Sequence, residues 1–128
     1  IYYDDTVEMS GTGFPAGNAG DKTHLIILQA EDPEIGMIGL LQWIDPPLPA
    51  PTIPTEVSYG SPTFVVRSED VRTAWRHAAA LGTRVHAEPH EWSIKGANGR
   101  IKHFVSTCLF DPDGHFFEIN ELQRETDA

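Results

Sequence analysis

Five prolines lie within residues 46–54, and this segment constrains the fold more than any other part of the 128-residue chain. Each proline lacks a backbone N–H donor and stiffens the chain toward an extended form, so the segment cannot be a helix or a central strand. We therefore expect a linker over residues 46–58, between a first unit of residues 1–45 and a second unit of residues 59–128. The chain is short enough for both units to share one domain.

The first unit is predicted to contain three strands. Residues 1–9 are rich in β-branched and aromatic side chains, and residues 23–29 and 37–43 are apolar runs separated by a polar turn over residues 31–34. The two apolar runs are expected to pair antiparallel. Because strand-like sequence starts at once at Ile1, we expect that an opening strand and helix of this unit are missing before it.

The second unit is predicted to follow the order β-α-β-β-β. Residues 63–67 form a short strand, and Ser68 is a suitable N-cap for a helix that ends at Gly82. Acidic residues after Ser68 are expected in the first turn of this helix. Strands are then predicted over three segments, which are residues 83–88, 101–110 and 115–122, the last two joined by the turn at residues 111–114.

Charge and composition exclude several classes of function. Nineteen acidic residues against nine basic ones give a net charge of −10, which repels nucleic acid and anionic lipid surfaces alike. No apolar run approaches the length of a membrane helix. The single cysteine, Cys108, cannot form an internal disulfide, so a reducing cytoplasm is the expected compartment.

Two motifs give no support for catalysis. Residues 11–16 satisfy the letters of a dinucleotide fingerprint, but Pro15 and the surrounding glycines deny the helix that would receive the pyrophosphate. We expect no nucleotide cofactor. Cys108 lies in a strand pattern without a basic neighbour, so it is expected to be a buried apolar residue rather than a nucleophile.

The segment of residues 110–122 is more informative. Asp-Pro-Asp-Gly at residues 111–114 is a turn sequence, and alternation along the next strand separates two faces. Phe116, Glu118 and Asn120 lie on one face, and Phe117 and Ile119 lie on the other. The residues alone leave two interpretations of Glu118 open: it is either a solvent-facing glutamate or a functional carboxylate.

This hairpin resembles that of the vicinal oxygen chelate superfamily, which includes glyoxalase I, bleomycin-resistance proteins and extradiol dioxygenases. Residues 59–66 resemble the opening strand of the family's second unit, residues 68–82 its helix, and residues 37–43 the closing strand of its first unit. The resemblance implies an α+β fold in which paired βαβββ units curl a mixed sheet around a cleft. It also implies a homodimer and a small-molecule ligand.

The resemblance assigns site residues position by position. Glu118 matches the final metal ligand of the family and is expected to act as ligand or catalytic base. Ser61 and Gly39 stand where relatives carry stronger donors, so a degenerate metal site is expected. The resemblance places five residues on the substrate side of the cleft, which are Gly39, Gln42, Ser61, Phe116 and Asn120.

A histidine could replace a missing ligand. His103 could reach the cleft if its face of the strand points inward, and His86 and His90 could approach from the neighbouring strand. Nothing in their spacing decides this, and a lone strand histidine is more often hydrogen-bonded or exposed than a ligand. We retain His103 as the candidate second metal ligand.

Two functions remain open at this stage. In the first, the protein is a glyoxalase-like lyase, isomerase or dioxygenase that acts on a small oxygenated molecule, with Glu118 as ligand or general base. In the second, it is a metal-free protein similar to bleomycin-resistance proteins, which sequesters an aromatic or cationic ligand.

Overall fold

A computed structural model describes residues 1–11, 13–32 and 36–128. The chain divides into two compact units, residues 1–51 and 52–128. The described residues form seven strands in two sheets and one helix, which is the α+β composition that the sequence predicts. No helix in these residues is long and apolar enough to cross a membrane.

Unit 1, residues 1–51, is a three-stranded antiparallel sheet. Its strands are β1 (Tyr3–Glu8), β2 (Lys22–Gln29) and β3 (Met37–Asp45), in the spatial order β1-β2-β3. The predicted antiparallel pairing of the two apolar runs is confirmed, with Leu25 opposite Leu41. Of the turn predicted over residues 31–34, the last two residues lie outside the described part of the chain, as does residue 12 of the glycine-rich segment.

Unit 2, residues 52–128, contains four strands and a helix. Along the chain these are β4 (Thr63–Arg67), α1 (Val71–Ala80), β5 (Arg84–Lys95), β6 (Ile101–Phe110) and β7 (Phe116–Thr126). The sheet order is β4-β7-β6-β5, with β4 parallel to β7 and the other neighbours antiparallel. The proline-rich residues 46–54 follow the end of β3 and belong to no strand or helix.

The core of unit 2 lies along β6, which has a neighbour on both sides. Residues 105–110 of this strand are all buried, and Val71 at the start of α1 is completely buried. Burial of a central strand together with the first turn of the helix fixes α1 against one face of the sheet. The opposite face is called the open face below.

The prediction of Ser68 as the helix N-cap is wrong. The cap is Asp70, whose carboxylate accepts hydrogen bonds from the backbone N–H and the hydroxyl of Thr73. The hydroxyl oxygen of Ser68 instead accepts a hydrogen bond from the N–H of Asp70, in the segment that precedes the helix. No acidic residue occupies the first turn, because Asp70 is used as the cap.

Gly82 follows the helix with a φ of +74°, as expected for a terminating glycine. After it, β5 is longer than predicted, since it continues through Pro89 to Lys95. Register shifts on both sides of Ala87 allow this, because an irregular edge strand tolerates the missing N–H of proline.

Candidate functional site

The turn before β7 is built by one side chain. Oδ1 of Asp111 accepts hydrogen bonds from the backbone N–H groups of Asp113 and His115, and the N–H of Gly114 donates to the Asp111 carbonyl. This predicted turn is therefore confirmed. It fixes where β7 begins and so which residues alternate onto each face.

Strand β7 presents two chemically different faces. Phe117 lies on the helix side, beside Ala78 and Leu81, and the Glu121 carboxylate accepts a 2.8 Å hydrogen bond from the N–H of Val71. Because side chains alternate along a strand, Glu118 lies on the open face. The carboxylate of Glu118 is half-buried there.

Glu118 has apolar and aromatic neighbours on the open face. Phe116 precedes it on the same face of β7, Cys108 lies opposite on β6, and Val65 lies opposite on β4. Val65 remains 64% exposed, so solvent reaches this part of the sheet. Beyond Asn120, a shallow depression continues along the open face, lined by Val65, Val66, Arg67, Lys102, Phe104, Asn120 and Leu122.

A chain of hydrogen bonds crosses the open face and ends at Glu118. The indole Nε1–H of Trp92 donates to Oγ of Ser106 at 2.6 Å, and the Ser106 hydroxyl donates to Oδ1 of Asn120. Nδ2 of Asn120 donates to Oε1 of Glu118 at 2.7 Å. These four residues come from three adjacent strands, β5, β6 and β7.

Two aromatic clusters flank this chain. Trp92 stacks on Phe104 with ring centroids 5.0 Å apart, and Phe110 packs edge-on against Phe116 at 5.3 Å. The guanidinium of Arg84 lies over the Phe110 ring, with Cζ 4.0 Å from the centroid. The surroundings of Glu118 therefore combine one carboxylate with several aromatic rings.

Burial raises the pKa of the Cys108 thiol, and the Glu118 carboxylate on the neighbouring strand raises it further. Both effects disfavour the thiolate, which is the nucleophilic form of cysteine. Cys108 is thus an inert, buried residue, as predicted.

Three of the predicted site residues lie together on one strand face, namely Phe116, Glu118 and Asn120. Ser61 is used in a turn before β4, where its Oγ accepts a hydrogen bond from the N–H of Ser58. That contact does not bring it to Glu118.

Gly39 and Gln42 lie in unit 1, on β3. They pair with Ile27 and His24, and their odd separation along a regular strand puts them on opposite faces. A single surface of this sheet therefore does not contain both residues.

The structure does not bring His103 to Glu118. The His103 ring is hydrogen-bonded between the hydroxyls of Ser93 and Thr126, and it alternates with Phe104 onto the face opposite Trp92. Of the other two histidines considered, His86 packs against the Phe110 and Phe116 rings, whereas His90 binds the carbonyl of Glu88.

Sequence reasoning missed Trp92 and Ser106. The strand predicted over residues 83–88 stops short of Trp92, whereas β5 continues to Lys95 and includes it. Ser106 carries no motif signal, and only the cross-strand register shows that it lies opposite Asn120.

In the described residues, one group of three potential metal ligands is found, Asp111, Asp113 and His115, with candidate atoms within 4.8 Å of one another. Asp111 already uses Oδ1 for two backbone N–H groups, and its Oδ2 lies 3.1 Å from Nδ1 of His115. The hydrogen bonds that build the turn therefore explain why these three side chains lie close together.

Comparison with known proteins identifies a family and a similar solved structure. The family model described as Glyoxalase/Bleomycin resistance protein/Dioxygenase superfamily matches residues 4–119. An integron cassette protein from the mobile metagenome of V. cholerae is similar at 18% identity, with 92% of this chain and 75% of that chain covered and a TM-score of 0.39. No curated protein matches the chain.

Proposed function

Because the chain belongs to the Glyoxalase/Bleomycin resistance protein/Dioxygenase superfamily, we propose that it binds a small molecule on the open face of unit 2, with Glu118 as the polar anchor. Members of this superfamily bind small-molecule ligands. The observation that carries the proposal is the Glu118 carboxylate, half-buried among aromatic rings and held by Asn120.

The chemistry of these neighbours favours a cationic or aromatic ligand. An ionised carboxylate only accepts hydrogen bonds, so its partner is a donor or a cation. Aromatic faces attract cations, and Arg84 over Phe110 is an example from within the chain. The net charge of −10 favours the approach of a cation over that of an anion. This proposal corresponds to the sequestering class of protein.

Members of the superfamily often bind a divalent metal ion, but the donors described around Glu118 do not fit one. A catalytic metal needs about three protein ligands. On the open face of unit 2, the adjacent positions are Cys108, Val65, Phe116 and Asn120, of which Asn120 is already used in the hydrogen-bond chain. We therefore assign no step to a metal.

Titration with three probes of similar shape tests the proposal. Phenylguanidinium is a flat aromatic cation, phenylurea is its neutral analogue, and benzoate is an aromatic anion. Calorimetry should show that the cation binds at least about tenfold more tightly than the urea, as expected for one charge-assisted hydrogen bond. Equal binding of all three, or a preference for benzoate, would contradict the proposal.

Two variants complete this experiment. Glu118→Gln removes the charge but preserves the side-chain volume, so the preference for the cation should disappear while the fold is kept. Glu91→Gln is the matched control, because Glu91 is an exposed strand carboxylate on the face opposite Trp92. It should leave the cation preference unchanged.

A second function is favoured by the same carboxylate, since an ionised glutamate at a solvent-accessible sheet face is placed to accept a proton. In this reading the protein is a glyoxalase-like enzyme in which Glu118 is the general base toward a small oxygenated substrate. NMR detection of deuterium incorporation into dihydroxyacetone in D₂O tests it, and Glu118→Gln should abolish the exchange. Exchange that survives this substitution would rule out Glu118 as the base.

The division of the fold into paired βαβββ units is also a proposal. We propose that unit 1 corresponds to the last three strands of a βαβββ unit. Unit 2 has that element order, and β1-β2-β3 repeats the antiparallel order of β5-β6-β7. The same comparison supports domain limits at residues 1–45 and 59–128 around a linker of residues 46–58. Superfamily members often form dimers, so sedimentation should give twice the 14.2 kDa chain mass.

A further inference from the structure

The hydrogen-bond chain on the open face has a fixed direction. The indole of Trp92 can only donate at one end, and an ionised Glu118 carboxylate can only accept at the other. The Ser106 hydroxyl accepts from Trp92, so its own proton points to Oδ1 of Asn120. The Asn120 amide is then oriented with its NH₂ group toward Glu118, and reversing it would break both of its bonds.

The hydrogen-bond chain is also rigid at its donor end, Trp92 and Ser106. Trp92 is held by its stack on Phe104, with an angle of 21° between the ring planes. Ser106 is 1% exposed, so solvent does not compete for its hydroxyl. Hydrogen bonds among buried partners cost more to break than exposed ones, because a broken one leaves polar atoms unsatisfied.

We propose that Trp92, Ser106 and Asn120 are positioning residues that hold the Glu118 carboxylate in one orientation and leave its Oε2 as the ligand-facing atom. Oε1 is occupied by the Asn120 amide, whereas Oε2 receives no hydrogen bond from any residue that the structure describes. The ligand therefore presents a hydrogen-bond donor or cation to Oε2. The inference rests on the proposed function for the existence of the ligand, and it revises the role of Asn120 from substrate contact to positioning.

The orientation of Glu118 can be measured without any ligand. Three-bond NMR couplings report the χ1 angle of Glu118, and they should indicate a single rotamer in the unaltered protein. Trp92→Phe keeps an aromatic ring that can stack on Phe104, and it removes the N–H donor together with the five-membered ring of the indole. Its couplings should move toward rotamer-averaged values, while backbone amide shifts outside the open face stay in place.

Trp75→Phe is the matched control, because it removes an indole N–H from α1 that has no hydrogen-bond partner among the described residues. It should leave the Glu118 couplings unchanged. Ser106→Ala is expected to have a larger effect than Trp92→Phe, since it interrupts the chain in the middle. Trp92→Phe alone decides the question if Ser106→Ala does not fold.

Couplings that stay at the single-rotamer values in Trp92→Phe would overturn the inference, because strand packing alone would then orient Glu118. Phenylguanidinium binding supplies a second readout, and its dissociation constant should rise about two- to tenfold in Trp92→Phe, the range for one lost hydrogen bond. If the probe fails to bind the unaltered protein, the cationic-ligand proposal fails, whereas the couplings still decide the positioning role.

Discussion

Thr107, in the middle of β6, allows a quantitative test of how the irregular part of β5 is held. Its side chain is fully buried, with 0% of its surface exposed. The Thr107 hydroxyl donates a 2.7 Å hydrogen bond to the carbonyl oxygen of Ala87. Ala87 lies between the two register shifts of β5, so this bond connects the irregular part of β5 to the central strand.

Thr107→Val replaces the hydroxyl by a methyl group of similar size. Loss of the donor to a partly buried carbonyl costs about 1–3 kcal/mol. Burial of the added methyl group offsets at most about 1 kcal/mol of this loss in the free energy of unfolding, the value for one buried methylene. Taking the middle of the first range, about 2 kcal/mol, and an offset between zero and about 1 kcal/mol, the expected net loss in the free energy of unfolding is about 1–2 kcal/mol.

Urea unfolding followed by far-UV circular dichroism measures this loss, because the one helix of the described residues lies in unit 2. With an m-value of about 1.5 kcal/mol/M, the midpoint should fall by roughly 1 M. Thr63→Val, the same change at an exposed position of β4, should alter stability by less than about 0.5 kcal/mol. A Thr107→Val midpoint equal to or above that of the unaltered protein would refute the reasoning, since packing alone would then explain the burial of Thr107.

Three further outcomes are expected. Gly17→Ala should destabilise unit 1, because Gly17 has a φ of +71° and an added Cβ would clash with Nε1 of Trp43; a lower thermal midpoint checks this. Glu118→Gln should lower the pKa of the Cys108 thiol, since it removes the charge that adds to the effect of burial; a ¹³Cβ titration of Cys108 above pH 7 measures the shift. The hydrogen bonds of the helix cap lower the pKa of Asp70 below 3.8, so the stability that its carboxylate adds is complete at neutral pH and is lost as the pH falls through its folded value; the urea midpoint of Asp70→Asn should depend less on pH in that range.

Local patterns in the sequence were enough to predict most elements. β6 has the predicted bounds of residues 101–110, because a segment rich in β-branched and aromatic residues before a strong turn sequence allows few alternatives. The sequence predicts the helix but predicts its cap two residues too early, since serine and aspartate are both good N-caps. Only the structure shows that Asp70, and not Ser68, accepts the hydrogen bond from the N–H of Thr73.

The orientation of Glu118 was also predictable. The pairing of β7 with β6 is regular from Phe116 to Leu122, so alternation counted from the turn assigns each residue to the correct face. The hydrogen-bond chain was not predictable. It requires Ser106 to lie opposite Asn120 and β5 to continue past Pro89, and both depend on pairing between strands that sequence periodicity does not encode.

The lack of metal donors around Glu118 follows from the geometry of a sheet. On one face, the nearest positions to a given residue are its cross-strand partners and the residues two places along its own strand, about 7 Å away. Around Glu118 these positions include a single side chain that binds metals strongly, Cys108. A thiol binds a metal as the thiolate, and both burial and the Glu118 charge raise the pKa of Cys108. The same carboxylate that could recruit a cation thus disfavours the thiolate of its own cross-strand neighbour, Cys108, which favours an organic cation as the partner of Glu118.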